Sequence, residues 1–375
     1  MELTIAHWTV LFITIAFGIL TILLLIQAII RKRYAWSFFS SIIFGLMAGI
    51  AAILNELVFP ESDFFTSFFR SLHLNLYGFH FFCFYIFFER LISRKVNSIR
   101  LSIMIILITL QTIGLWLVFY NEVNSLSTAM PWVLADIGYW SPALFTYLGL
   151  GVPIYIKTYI YTKEIKPVIL SIALIFVSIG FFISFLWDLE FIFGAFDVSL
   201  NFPSIIKELS EYANIFPFIG IMLFVLVYLV NIDYIYRLPN DIFTLLVLRT
   251  GGTPIHTVHL KTRRQIEIRE FLLSGMITAM NNVFKEIIEE EIPIEKVTSQ
   301  GINILIKSGE DILVVVITDK VTYFLDKGLE RYVKEFEKEY ADEIKRNEEN
   351  IHEYDGAVEI LQAVFPFFIV KEKRE

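Results

Sequence analysis

The sequence predicts a membrane protein of two parts, an all-α bundle of seven transmembrane helices followed by a soluble α+β domain. Seven apolar stretches, each about the length of a bilayer-spanning helix, fill the first part of the chain. Beyond residue 240, short strand-like runs and amphipathic helical patterns replace them. We therefore predict a transmembrane domain at residues 1–237, a short linker at 238–242 and a soluble domain at 243–375.

Composition and charge agree with this division. Of the 375 residues, 56% are hydrophobic and 37 are Phe, unlike an ordinary soluble protein. Residues 240–375 contain 18 Lys and Arg against 25 Asp and Glu, so the soluble domain is acidic and a nucleic-acid partner is disfavoured. The single cysteine, Cys83, cannot form an internal disulfide or a cysteine metal cluster. We predict no cofactor.

Each predicted span has about the 20 largely apolar residues that a helix needs to cross a bilayer. The seven spans are 8–30, 36–59, 64–88, 101–120, 130–156, 168–187 and 213–235. Gly45 and Gly49 in the second span have the spacing that lets neighbouring helices approach closely. Pro142 and Pro153 in the fifth span and Pro217 in the seventh are positions where a helix can kink.

The connecting loops differ in charge. Those after spans one, three, five and seven hold nearly all the basic residues, which are Arg31, Lys32, Arg33, Arg90, Arg94, Lys95, Arg100, Lys157, Lys163, Lys166 and Arg237. The opposite loops hold only Lys207 beside most of the acidic residues. By the positive-inside rule, this bias predicts a multi-pass cell-membrane protein with its N-terminus outside and its soluble domain in the cytoplasm.

With this orientation, polar and aromatic side chains from five spans reach a similar depth near the outer face. The candidate ligand-binding residues are Glu56, Arg70, His73, Asp136, Trp187, Asp188 and Asn214. Ionisable groups are costly at membrane depth, so such a group is expected to serve a function or to be paired. Two interpretations stay open: a small pocket open to the outside, or structural pairing of Arg70 with Glu56 or Asp136.

Two histidines raise the question of a metal. His73 and His80 lie two helical turns apart and face one side of the third span. With Asp136 or Asp188 they are weak candidates for a metal site, because spans four to seven contain no histidine. We predict no metal, and we predict no enzymatic activity since no catalytic motif is evident. A membrane-embedded metal-dependent hydrolase is the alternative.

The soluble domain is predicted to have the element order β-β-α-β-β-β-α. The strands are 243–249, 255–261, 295–299, 302–307 and 312–318, and a helix of about 22 residues precedes the third strand. The continuously apolar run at 312–317 predicts a central, buried strand. A long helix follows, with one face formed by Leu325, Leu329, Tyr332, Phe336, Tyr340 and Ile344. Residues 357–370 are predicted to add a helix and a short strand.

Residues 242–347 resemble the longin and Roadblock group of small α+β domains. The resemblance rests on the element order and on the opening hairpin, in which Phe243–Arg249 is followed by Thr-Gly-Gly-Thr-Pro-Ile. Domains of this group are binding platforms, often for small GTPases or for self-pairing. The resemblance therefore implies a cytosolic protein partner, such as a small GTPase, or a homodimer, and it implies no catalytic residues. The helical part resembles the seven-helix sensor regions attached to prokaryotic signalling modules.

These features together predict a receptor-like signalling protein. A small extracellular or membrane-partitioned ligand would bind the helical bundle among the membrane lipids, and the docking domain would respond. The linker contains Pro239 and is too short to uncouple the two parts. Besides the hydrolase, the alternative is a passive membrane scaffold or trafficking protein that recruits small GTPases.

Overall fold

A computed structural model describes residues 5–31, 35–59, 63–199, 203–230, 234, 240, 243–259, 269–288, 294–346, 354 and 356–365. The chain divides into two compact units. The first comprises Met1–Glu89, Val96–Tyr159 and Glu164–Ile232, and the second comprises Arg90–Lys95, Ile160–Lys163 and Asp233–Glu375. Apart from Asn240, the predicted linker 238–242 lies outside the described residues.

The part of the chain before residue 231 is helical. Its helices are α1 (Ile5–Arg31), α2 (Trp36–Ile53), α3 (Asp63–Ile92), α4 (Ser98–Val123), α5 (Ala129–Leu144), α6 (Val152–Thr162), α7 (Ile165–Gly194), α8 (Ser204–Glu211) and α9 (Ile215–Val230). Helix α2 continues into a π-helical segment, Leu54–Val58, and a second π-helical segment, Phe145–Gly151, joins α5 to α6.

Six helical stretches are long and apolar enough to cross a membrane. They are His7–Gln27, Trp36–Val58, Ser98–Val123, Ala129–Thr162, Ile165–Gly194 and Ile205–Val230. They support a multi-pass membrane protein and agree with six of the predicted spans. The remaining predicted span, 64–88, falls within α3, which is a 30-residue helix but is not among the six. The prediction of seven spans therefore stays a prediction.

Helix α3 is less apolar because it packs inside the bundle. Arg70, His73, Asn75 and His80 lower its hydropathy, and 12 of its 30 residues are Phe or Tyr. Phe81, Phe84 and Phe87 are buried, and their rings contact rings of α2, α5, α7 and α9. A helix surrounded by other helices does not need the lipid-facing residues that a hydropathy profile detects.

Two glycines lie where neighbouring helices approach closely, and Pro142 lies beside a change of helix type. A Cβ atom at Gly45 or Gly49 of α2 would meet Phe17 or Thr14 of α1 at 3.0 Å or less, so these glycines let α1 pack tightly against α2. Pro142 lies inside α5, three residues before the π-helical segment Phe145–Gly151. Since proline lacks an N–H and clashes with the preceding turn, a change of helical hydrogen bonding is expected near it.

The second unit contains a five-stranded antiparallel sheet with strand order β2-β1-β5-β4-β3. Its elements are β1 (Phe243–Arg249), β2 (Pro254–His259), α10 (Glu270–Ile288), β3 (Lys296–Ser299), β4 (Ile302–Ser308), β5 (Ile312–Thr318), α11 (Tyr323–Glu339), α12 (Ala341–Lys345) and α13 (Ala357–Val364). Strand β5 lies in the middle of the sheet with every residue buried, which confirms the prediction of a central strand.

The two faces of the sheet are covered differently. Helix α11 packs on one face, where Phe336 contacts His256 of β2. The six predicted apolar residues are all buried, but α11 ends before Tyr340 and Ile344, and Ile344 lies in α12. Helix α10 covers the other face mainly through Ile277, which joins a core with Leu246 and Val315. Most other apolar residues of α10 face outward, and Phe271 and Ile287 are 76% and 73% exposed. The second unit therefore keeps an apolar helix surface of its own, which was not expected.

Candidate functional site

A cavity of about 510 Å³ lies inside the helical unit. Residues from α1, the end of α2, α3, α4, α5, α7 and the start of α9 line it, so seven helical segments converge there. The lining residues are Thr9, Val10, Ile13, Ala52, Glu56, His73, Leu74, Tyr77, Gln111, Leu115, Trp132, Ala135, Asp136, Tyr139, Trp140, Phe181, Ser184, Asp188, Phe191, Asn214, Pro217 and Ile221. This size is typical of small-molecule sites.

Three carboxylates line the cavity, each on a different element. Glu56 lies in the π-helical segment that ends α2, and its Oε2 is 3.9 Å from Nε2 of His7. Asp188 of α7 accepts a hydrogen bond of 2.8 Å from the indole N–H of Trp140. Asp136 of α5 lines the same cavity as Asp188. None of the described lining residues is Lys or Arg.

Aromatic rings form much of the remaining wall. Tyr139 and Trp140 of α5 pack edge to face at 4.7 Å, and Trp140 contacts Phe181 of α7 at 5.9 Å between ring centroids. Trp132 and Tyr77 complete this part of the lining. The cavity therefore combines an aromatic surface with acidic groups, a combination that can hold the apolar body and the polar end of one ligand.

Gln111 of α4 is a lining residue that the sequence analysis did not single out. Its side chain is fully buried, and Nε2 donates a hydrogen bond of 2.7 Å to the carbonyl oxygen of Leu74. The second polar atom, Oε1, has no hydrogen-bond partner among the described residues. A glutamine inside the fourth apolar span was the available signal, because an amide at membrane depth is costly unless it is bonded.

The structure brings together five of the seven predicted ligand-binding residues. Glu56, His73, Asp136, Asp188 and Asn214 all line the cavity. The other two, Arg70 and Trp187, lie outside the lining and have other contacts.

Arg70 and Trp187 each interact with a residue near the end of a helix. The guanidinium of Arg70 binds the carboxylate of Glu122 and lies over the ring of Trp132 at 5.4 Å. The ammonium of Lys207 lies 6.0 Å from the ring centroid of Trp187. Arg70 thus pairs with Glu122 rather than with Glu56 or Asp136, and the cavity carboxylates are left without an arginine.

His80 belongs to a separate buried cluster. Its Nδ1 lies 2.8 Å from the carbonyl oxygen and 2.9 Å from the hydroxyl of Ser41, and its Nε2 lies 2.5 Å from the hydroxyl of Tyr147. Tyr147 lies in the π-helical segment between α5 and α6. In the part of the chain that the structure describes, no group of three or more His, Cys, Asp or Glu side chains is arranged to hold a metal ion.

Comparison of the chain with known protein families, with curated proteins and with solved structures gives no significant match.

Proposed function

We propose that this protein is a receptor-like signalling protein whose helical bundle binds a small ligand in the cavity and whose soluble domain docks a cytosolic partner. The observation that carries the proposal is the cavity itself, because seven helical segments build it and three of them contribute a carboxylate. A passive membrane anchor has no need to keep these costly groups around an internal space. In this proposal the N-terminus is outside the cell and the soluble domain is in the cytoplasm.

A continuous series of side-chain contacts supports transmission from the cavity to α9. Tyr77 lines the cavity and its ring contacts His80, one turn along α3, at 6.3 Å. His80 bonds Tyr147, which packs on Phe84 at 5.4 Å. Phe84 in turn contacts Phe224 of α9 at 5.9 Å. Tyr147 lies in a π-helical segment, and such segments are frequent where helices change shape in function.

Contacts within the second unit support the proposal that its helix α11 responds to such a change. The segment Arg90–Lys95, which contains the last residues of α3, belongs to this unit. Arg90 lies over the ring of Tyr323 at 4.6 Å, and Nε of Arg94 lies 3.1 Å from Oδ2 of Asp326. Both partners are in the first turn of α11, so a displacement along α3 would reach α11 through the chain itself.

Asn240 gives the start of the docking domain a second fixed point. It is buried, and its amide donates to the hydroxyl of Thr318 at 2.6 Å and to the carbonyl of Lys320 at 2.9 Å. These bonds hold the chain before β1 against the end of β5. In this proposal, the short linker predicted at 238–242 joins the helical bundle to the docking domain.

The docking role rests on the sheet domain. Its resemblance to the longin and Roadblock group suggests a small GTPase or a second copy of this chain as partner. The outward apolar residues of α10, including Phe271, Leu272 and Ile287, offer such a partner a contact surface. The hydrolase alternative used His73 and His80 together, but His80 is bonded to Ser41 and Tyr147 and does not line the cavity.

Hydrogen–deuterium exchange of the full chain in lipid nanodiscs tests the proposal. Tyr147→Phe breaks the series of contacts, and we expect it to change exchange protection in Tyr323–Glu339 of α11 as well as around the substitution. Tyr120→Phe, at an exposed position of α4, is the matched control. If Tyr147→Phe changes protection only in the helical unit, the bundle is a passive anchor and the scaffold alternative holds.

A further inference from the structure

We propose that the cavity ligand is an organic cation, a protonated amine attached to an apolar body of about the size of one or two rings. This inference rests on the proposed function, because it names the ligand class of the same cavity. Three independent properties of the lining support it: its charge, the kind of hydrogen-bonding atoms that it offers, and its aromatic surface.

Charge excludes anionic ligands and favours cationic ones. Glu56, Asp136 and Asp188 line the cavity, and the described lining contains neither Lys nor Arg. Arg70 of α3 is bound to Glu122 and does not line the cavity. Carboxylates from three helical segments thus face one space, where a bound cation can pair with them.

Gln111 of α4 adds an acceptor to the lining. Because a carbonyl oxygen can only accept, the bond to Leu74 fixes Nε2 of Gln111 as the donor and leaves Oε1 as the atom without a described partner. The Gln111 side chain is fully buried, so an unpaired oxygen there carries a cost. An ammonium group has only donors to offer, so it suits the carboxylate and amide oxygens that the lining residues carry.

The aromatic wall suits the rest of such a ligand. Tyr77, Trp132, Tyr139, Trp140 and Phe181 present ring surface to the cavity, and ring faces attract ammonium groups as well as apolar bodies. The volume of about 510 Å³ is far larger than a bare metal ion needs.

A series of probes with identical bodies and different charges tests the inference. The series consists of an indolylethyl amine, the corresponding alcohol and the corresponding carboxylate, with phenylethyl and hexyl counterparts. Binding to the full chain in nanodiscs of neutral phosphatidylcholine is measured by isothermal titration and by the shift in thermal unfolding. We expect the amines to bind more tightly than the matched alcohols, and the carboxylates to show no binding.

Variants then locate the binding. Asp136→Asn and Asp188→Asn keep side-chain volume, and each should weaken amine binding by about 10- to 100-fold, the range for losing a charge-assisted hydrogen bond. Glu208→Gln removes an exposed carboxylate of α8 outside the lining and should leave binding unchanged. Ser184→Phe, at a half-buried lining position, should reduce binding of every probe by filling the cavity.

The outcomes separate the two proposals. If the alcohols or carboxylates bind as well as the amines, and Ser184→Phe abolishes that binding, the ligand class is wrong while the receptor proposal stands. If amines bind equally to the Asp136→Asn, Asp188→Asn and unaltered proteins, the carboxylates do not recognise them and the inference is overturned. If no probe of any charge binds in a manner sensitive to Ser184→Phe, both the ligand class and the ligand-binding function fail.

Discussion

The buried ring of His80 has one protonation pattern that satisfies all its neighbours, and this makes a sharp prediction. Nδ1 lies 2.8 Å from the carbonyl oxygen of Ser41, which can only accept, so Nδ1 must carry the proton. Nε2 is then an acceptor, and the hydroxyl of Tyr147 is its donor. The hydroxyl of Ser41 is free to donate to the carbonyl oxygen of His80, 3.0 Å away. Two hydroxyl groups thus contact the same histidine with unequal importance.

Removing each hydroxyl should therefore have a different cost. Tyr147→Phe leaves Nε2 buried without a donor, and an unsatisfied buried acceptor costs about 1–3 kcal/mol. Hydrogen bonds between membrane helices fall toward the lower end, with a maximum near about 1.7 kcal/mol, so we expect about 1–2 kcal/mol. Ser41→Ala keeps the carbonyl that Nδ1 needs, and it should cost no more than about 0.5 kcal/mol.

Equilibrium unfolding of the full chain by sodium dodecyl sulfate, from lipid–detergent micelles, measures both free energies. Tyr120→Phe serves as the control for loss of an exposed tyrosine hydroxyl. Equal costs for Ser41→Ala and Tyr147→Phe, or a larger cost for Ser41→Ala, would refute the assigned proton position. A cost for Tyr147→Phe no greater than that of the control would refute the hydrogen bond itself.

Two further predictions concern ion pairs. Glu122→Gln should lower the free energy of unfolding by no more than about 1 kcal/mol, because the pair with Arg70 is partly exposed. Amine binding should persist, since Glu122 does not line the cavity. A loss of binding without a loss of stability would contradict this. Burial raises the pKa of Glu330, but the hydrogen bond from Lys327 and the charge of Lys307 outweigh it and lower this pKa below its ordinary 4.5. Glu330 therefore stabilises the second unit above that pH, and the contribution disappears as pH falls through the lowered pKa. Glu330→Gln should remove this acid-dependent part from the protection factors of β5 amides; an unchanged pH profile would count against it.

The strands could be predicted closely because their ends are marked in the sequence. Strands β1 and β5 have the predicted bounds, Phe243–Arg249 and Ile312–Thr318. Gly-Gly and Ser-Gly turns flank them, and largely apolar runs, mainly β-branched in β5, fill them. Helix α10 was predicted from its apolar spacing. Spacing alone did not reveal that only part of that surface, around Ile277, meets the sheet.

The sequence predicted which residues of the site lie at a similar height along their helices, but not which way each helix faces. The ends of the predicted spans indicated that Glu56, Asp136 and Asp188 lie at a similar depth. Gln111 was missed because a helix that is apolar on nearly every side gives no preferred facing direction. Glu122 lies beyond the predicted end of the fourth span at residue 120, so the sequence did not mark it as a partner for Arg70.

The polar residues of α3 have a consequence for how the protein enters a membrane. A single helix that carries His73, Asn75 and His80 would expose unbonded polar groups to lipid. His80 finds Ser41 on the preceding helix α2, and Thr112 of the following helix α4 donates to Asn75 at 2.9 Å. We therefore expect α2, α3 and α4 to leave the translocation machinery together, with α3 retained until its neighbours have been synthesised.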